Sequence, residues 1–128
     1  VGLTPILCVG ESLQQRQQEQ TLDVVAAQIA AVIDCVGLSN VCRAVIAYEP
    51  VWAIGTGEVA SPEQAQQVHS AIRAQLGEAG VETRLLYGGS VKASSAAELF
   101  TQQDINGGLV GGASLEAQEF LNIVQLAE

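Results

Sequence analysis

The stretch YEPVWAIGTG, from Tyr48 to Gly57, sets a lone carboxylate at the end of an apolar run and follows it with a loop that begins in proline and ends in glycine. The run Ala44-Val45-Ile46-Ala47-Tyr48 is short, partly β-branched and free of helix punctuation, so it reads as a buried parallel strand with Glu49 at its carboxyl end. Pro50 fixes a backbone angle directly after the carboxylate, Val51, Trp52, Ala53 and Ile54 make an apolar tip, and Gly55-Thr56-Gly57 restores freedom at the far end. A segment built this way, from Pro50 to Gly57, reads as a lid. From position alone Glu49 is open to two readings: a general base for a carbon acid, or a strand-end carboxylate in a salt bridge.

Outward from this stretch, strand-like and helix-like patterns alternate. Pro5 to Val9 is extended and apolar, and Leu22, Val25, Ile29, Val32 and Ile33 then share one helical face. Beyond the lid, Ser61 is placed to cap a helix opened by Pro62, with Ala65, Val68, Ile72 and Leu76 as its buried stripe. A third strand is expected over Arg84 to Tyr87, followed by a short helix carrying Ala96, Leu99 and Phe100 and capped by Ser94 or Ser95. Gly108 to Val110 reads as a very short fourth strand. Leu115 to Ala127 reads as a terminal helix with Ala117, Phe120, Leu121 and Val124 inward.

Four βα units predict an α/β chain whose parallel sheet is covered by helices. Four strands cannot close a barrel, so two sheet edges and an uncovered inner face are expected on the single domain 1–128, which should seek a partner.

With 128 residues, 48% of them apolar and 15% charged, the chain has the make-up of one globular domain. No run approaches the ~18 apolar residues of a membrane span, and the first residues lack the basic start of a secretion signal, so a cytoplasmic protein is expected. Fourteen acidic against five basic residues give a net charge of −9, which argues against nucleic acid and membranes as partners. Cys8, Cys35 and Cys42 form no CxxC pair, which argues against a disulfide framework or a zinc site; all three read as buried thiols. The negative charge also opposes an anionic ligand unless backbone amides hold it. Gly88-Gly89-Ser90 and Gly111-Gly112 each follow a strand and precede a helix, which fits either tight βα turns or amides converging on one anion.

AYEPVWAIGTG, with YGGSV at Tyr87 to Val91 and LVGGASL at Leu109 to Leu115, resembles the triosephosphate isomerase family, its three motifs in the family's order and at about its spacing. The ILCVGE segment at Ile6 to Glu11 extends the likeness to nearly the whole chain. It covers the family's carboxyl-terminal half only, since a full (β/α)8 barrel takes roughly 250 residues. The resemblance therefore implies four consecutive βα units of a TIM barrel, a half barrel with parallel strands and outer helices.

The activity implied is interconversion of dihydroxyacetone phosphate and glyceraldehyde 3-phosphate through an enediolate, a step of glycolysis and gluconeogenesis. Glu49 takes the place of the base, the lid runs from Pro50 to Gly57, and the family's phosphate contacts fall on Gly55, Ser90, Gly111 and Gly112. Glu11 is implied to hold the Trp52 indole NH when the lid is open, a gating role. The family's catalytic histidine and lysine belong to the half with no counterpart here. His69 accordingly reads as a surface or helix-packing residue, and Lys92 as a solvated lysine at a helix start. Arg73 is expected to pair with Glu63 or Glu78, and Tyr48 and Tyr87 to pack.

No metal or organic cofactor is implied. The implied partners are a triose phosphate and either the amino-terminal half barrel or self-association through the open sheet edges; the whole enzyme would be a homodimer. The isolated chain is expected to be inactive or nearly so. The alternative is a non-catalytic half barrel that only binds phosphate, while a phosphate-binding barrel acting on indole or histidine precursors would not predict EPVWAIGTG.

Overall fold

The computed structural model describes residues 2–56 and 58–127. Strands β1 (Ile6–Val9), β2 (Val45–Tyr48) and β3 (Leu85–Tyr87) form one parallel sheet in that order. Ile6 pairs with Val45, Cys8 with Ala47 and Tyr48 with Tyr87. Because successive strand residues face opposite sides, Leu7, Val9, Ile46, Tyr48, Leu85 and Tyr87 share one face. Helices α2 (Thr21–Val36), α4 (Pro62–Leu76) and α5 (Ala93–Phe100) supply the core packed on it, with Val25, Ile29, Val68, Ile72, Ala96 and Leu99 among its buried residues. Ile6 and Cys8 face the other way and are exposed, so the inner face of the sheet is open along β1.

Helix α4 forms where the local signals are strongest. Ser61 accepts from the Gln64 amide at 3.2 Å while the Gln64 side chain accepts from the Ser61 amide at 3.0 Å, and Pro62 opens the first turn. Ala65, Val68, Ile72 and Leu76 are buried as the spacing predicts, joined by His69. Two further helices, α1 (Leu13–Gln17) and α3 (Leu38–Cys42), are too short for a period to register in the sequence.

The expected fourth strand shrinks to a single parallel bridge between Tyr87 and Gly108. Gly107 turns there at φ +142, and neither Gly107 nor Gly108 has a side chain to pack on the pleated surface. The last helix, α6, runs from Ala117 to Gln125 after a 3₁₀ turn at Gly112–Leu115. Its buried residue is Ile123, whereas Ala117, Phe120, Leu121 and Val124 are exposed. It packs on α5 and the preceding turn, where a three-stranded sheet is too narrow to cover its apolar stripe. α5 begins at Ala93 with Lys92 in the cap position; Ser95 lies inside the first turn, where its hydroxyl accepts the Lys92 amide at 3.2 Å.

The cysteines are not buried. Cys8 lies on the open face of β1 and Cys35 on the outside of α2, both exposed, and Cys42 is half-buried. Arg73 pairs with Asp104 at 3.5 Å rather than with Glu63 or Glu78. It also donates to the carbonyls of Gly80, Val81 and Thr83, pinning the loop that leads into β3.

His69 is a helix-packing residue, fully buried against Tyr48 and Tyr87, with Nδ1 2.7 Å from the Ala65 carbonyl. Burial holds its pKa below the ordinary 6.5, against smaller opposing contributions from the Ala65 and Leu86 carbonyls and from Asp104. The unfolded chain therefore takes up this proton first as pH falls, so stability is full above about 6.5 and declines below it toward the lowered folded value. Between about pH 7.5 and about 5.5 the urea midpoint of the native chain is expected to fall more than that of His69→Gln. Parallel curves would refute this.

Candidate active site

Strand β2 carries Glu49 to the carboxyl end of the sheet, where its amide donates to the Val9 carbonyl at 2.7 Å and completes the register with β1. The Gly88 amide donates to the Tyr48 carbonyl at 2.8 Å from the other side. Glu49 is thus held between the ends of two neighbouring strands, and its half-buried side chain faces a cleft of about 710 Å³. Gly55, Ser90, Gly111 and Gly112 line the same cleft. The sequence separates these positions by as many as 63 residues from Glu49 to Gly112, and the parallel topology gathers them because every strand ends on the same side. A side chain at Gly88 would meet Glu49 Cγ at 2.5 Å, so glycine there leaves room for the carboxylate.

The possible anion contacts differ in their state. Gly55 has φ +67, a conformation that favours glycine, and the amides of Gly55 and Gly111 have no acceptor among the described residues. Gly112 opens the 3₁₀ turn, whose first amides have no partner within the turn. Ser90 is engaged elsewhere: its amide and its hydroxyl both donate to the Ala53 carbonyl, at 3.1 and 2.8 Å. An anion contact donated by Ser90 would have to replace its bonds to the Ala53 carbonyl. Lys92, expected to be merely solvated, is exposed but lines the cleft.

The segment expected to be a lid is anchored at its first residues. Val51 to Ala53 form a 3₁₀ turn, and the Val51 amide donates to the Glu11 carbonyl at 3.0 Å. The Trp52 indole NH donates to the fully buried Glu11 carboxylate at 2.9 Å, the contact the resemblance implied. Tyr48 is more than packing, since its hydroxyl bonds both oxygens of Glu11 at 3.1 Å. Burial, then the charge of Glu11 and the bond to it, push the phenol well above its ordinary range. The Thr56 hydroxyl donates back to the Trp52 carbonyl at 2.7 Å. Val51 and Ile54 are exposed, so the tip carries apolar surface that closure over a ligand would bury. Gly57, the last lid position expected from the sequence, lies outside the described residues.

Arg16 joins this anchor without any signal in the sequence. It pairs with Glu11 at 3.2 Å and lies over the Trp52 ring at 5.3 Å from its centroid. A partly exposed cation–π contact contributes roughly 0.5–1 kcal/mol, which is enough to bias the indole between docked and free. Trp52 is the chain's single tryptophan, so its emission reports the anchor alone. Arg16→Met is expected to red-shift that emission and to raise its quenching by acrylamide about two- to fivefold. Unchanged emission and quenching would exclude the stacking role.

Cys8 lies beside Glu49. Partial burial of its sulfur, followed by a hydrogen bond to Glu49 and that carboxylate's charge, raises the thiol above its ordinary range. Among the described residues no three His, Cys, Asp or Glu side chains gather as a metal site, and no helix is long and apolar enough to cross a membrane.

The family model described as triosephosphate isomerase matches residues 1–127. Proteins named triosephosphate isomerase from Ectopseudomonas mendocina and Pseudomonas aeruginosa are each 62% identical over 98% of this chain, and one from Pseudomonas putida is 58% identical over the same share. The match takes in 52% of each relative, so the chain spans about half the length of the curated relatives it matches. With a family model matched along almost all of its residues, the chain belongs to the triosephosphate isomerase family.

Proposed function

We propose that residues 1–128 form the carboxyl-terminal half barrel of a triose-phosphate isomerase, and that this half carries the base, the lid and the phosphate cradle. The observation that carries the reading is the shared cleft: Glu49, Gly55, Ser90, Gly111 and Gly112 all line it. In this reading Glu49 takes a proton from the carbon next to the carbonyl of dihydroxyacetone phosphate and returns it to the neighbouring carbon, giving glyceraldehyde 3-phosphate. Backbone amides hold the phosphate, which suits a chain of net charge −9 with few cations to offer. The lid excludes water and discourages loss of phosphate from the enediolate.

The oxyanion that develops during the reaction needs a hydrogen-bond donor. His69 cannot supply one, because it is sealed in the helix layer behind the sheet. The donor is assigned to an amino-terminal half barrel, which would also cover the open face at Ile6 and Cys8 and the exposed side of α6. A cytoplasmic location and a homodimeric whole enzyme belong to the same proposal.

The test is complementation: the chain is mixed with the amino-terminal half of the Pseudomonas aeruginosa relative and triose-phosphate isomerisation is measured. Activity absent from either half alone and present in the mixture is expected. A folded, stoichiometric complex without activity would reject the catalytic reading in favour of a phosphate-binding module.

A further inference from the structure

Glu119 stands on the wall of the same cleft, half-buried, near the start of α6. Its Oε1 accepts the backbone amide of Ala93 at 2.8 Å, across 26 residues of sequence. Ala93 is the first residue of α5, so its amide has no acceptor within the helix. The bond ties together the two segments that follow the glycine turns. One runs from Gly88 through Ser90 into α5, and the other from Gly111 and Gly112 through the 3₁₀ turn into α6. A carboxylate on the wall of an anion cleft opposes the ligand electrostatically, and the amino-terminal end of α5 offsets that charge in part. Its contribution to binding must therefore be geometric.

We propose that Glu119 is a positioning residue for the phosphate cradle: its carboxylate braces the Gly88–Ser90 loop against the Gly111–Gly112 loop, which sets the distance between Ser90 and the free amides of the Gly111–Gly112 turn. The proposal rests on the phosphate reading of this cleft. It separates the two properties of the side chain, charge and reach. Gln keeps an acceptor at the same reach without the charge, Ala removes both, and Asp keeps the charge but is one methylene short.

The experiment is a titration of the chain with inorganic phosphate, followed by the amide resonances of Gly111, Gly112 and Ala93. Phosphate is expected to shift the Gly111 and Gly112 amides of the native chain, and Glu119→Ala is expected to shift the Ala93 amide that loses its acceptor. Glu119→Ala is expected to bind phosphate about fivefold more weakly than Glu119→Gln, the equivalent of one lost hydrogen bond. Should the Ala variant fail to fold, Glu119→Asp is compared with the native chain and is expected to show the same weakening. Equal affinity for Ala and Gln, or native affinity for Asp, overturns the brace while leaving the phosphate site in place. If phosphate leaves Gly111 and Gly112 unshifted in the native chain, the phosphate reading falls and the brace falls with it.

Discussion

Glu49→Gln is expected to lower triose-phosphate isomerisation by the complemented barrel by roughly 10²–10⁴-fold, the usual contribution of a positioned general base. The amide is nearly isosteric and can still receive hydrogen bonds, but it cannot take a proton from carbon. The backbone around it is held independently, by the Glu49 amide on the Val9 carbonyl and the Gly88 amide on the Tyr48 carbonyl. The variant should therefore fold as the native chain does. Phosphate affinity is expected to stay within about twofold, because the proposed contacts at Gly55, Ser90, Gly111 and Gly112 do not use the Glu49 side chain. The two measurements together discriminate the readings. A large loss of turnover with binding intact is the outcome for an isomerase base, and a variant as active as the native complex would remove Glu49 from the chemistry.

Gly10→Ala is expected to destabilise the chain by about 3 kcal/mol or more, a large share of the stability of a single domain. Gly10 follows β1 and lies flat against the end of β2. An added Cβ would run into the Glu49 carbonyl oxygen and approach its carbon at 2.6 Å and Pro50 N at 3.3 Å. These are backbone atoms at the point where the two strands are in register, so no rotamer change relieves the contact. Gly10 cannot retreat either, because the Gln28 side chain grips it from α2 through both its amide, at 2.8 Å, and its carbonyl, at 3.0 Å. Gly88→Ala is the matched control, because its Cβ meets the movable side chain of Glu49 rather than main chain. In urea unfolding the Gly10 variant should lose far more of its midpoint than the Gly88 variant. Similar midpoints would mean that the strand ends tolerate separation.

Both expectations draw on positions that the sequence exposes to different degrees. Glu49 at its strand end and the candidate lid stood out because their signal is local: an apolar run, a carboxylate, a proline and a glycine pair, all within fourteen residues from Ala44 to Gly57. α4 was legible for the same reason, its cap, first-turn proline and apolar stripe each acting within one or two turns. The importance of Gly10 was not legible. One glycine in CVGE carries no mark of the strand end that will press on it.

The errors have a common origin. Cys8 is apolar enough for a core, and Phe120 and Leu121 fall at helical spacing from Ala117 and Val124, yet Cys8, Phe120 and Leu121 are exposed because burial depends on what covers a face. Arg73 found Asp104, 31 positions away, instead of an acid on its own helix or just beyond it. Ser90 is aimed at the lid's Ala53 carbonyl, a choice made by two loops meeting. Arg16 and Glu119 gave no signal, since an isolated charge in a polar stretch reads as a solvated surface.

The sequence by itself determined three strands, the four longer helices and the glycine turns, and it marked the candidate lid and base, because each follows from backbone preferences and side-chain periodicities acting over a few residues. Only the tertiary structure decided that Glu49, Gly55, Ser90, Gly111 and Gly112 share one cleft, that Glu11 and Arg16 hold Trp52, and that Glu119 reaches Ala93. Those contacts are set by which strand ends and helix starts the parallel sheet brings within bonding distance, and that proximity is a property of the packed chain rather than of any segment in it.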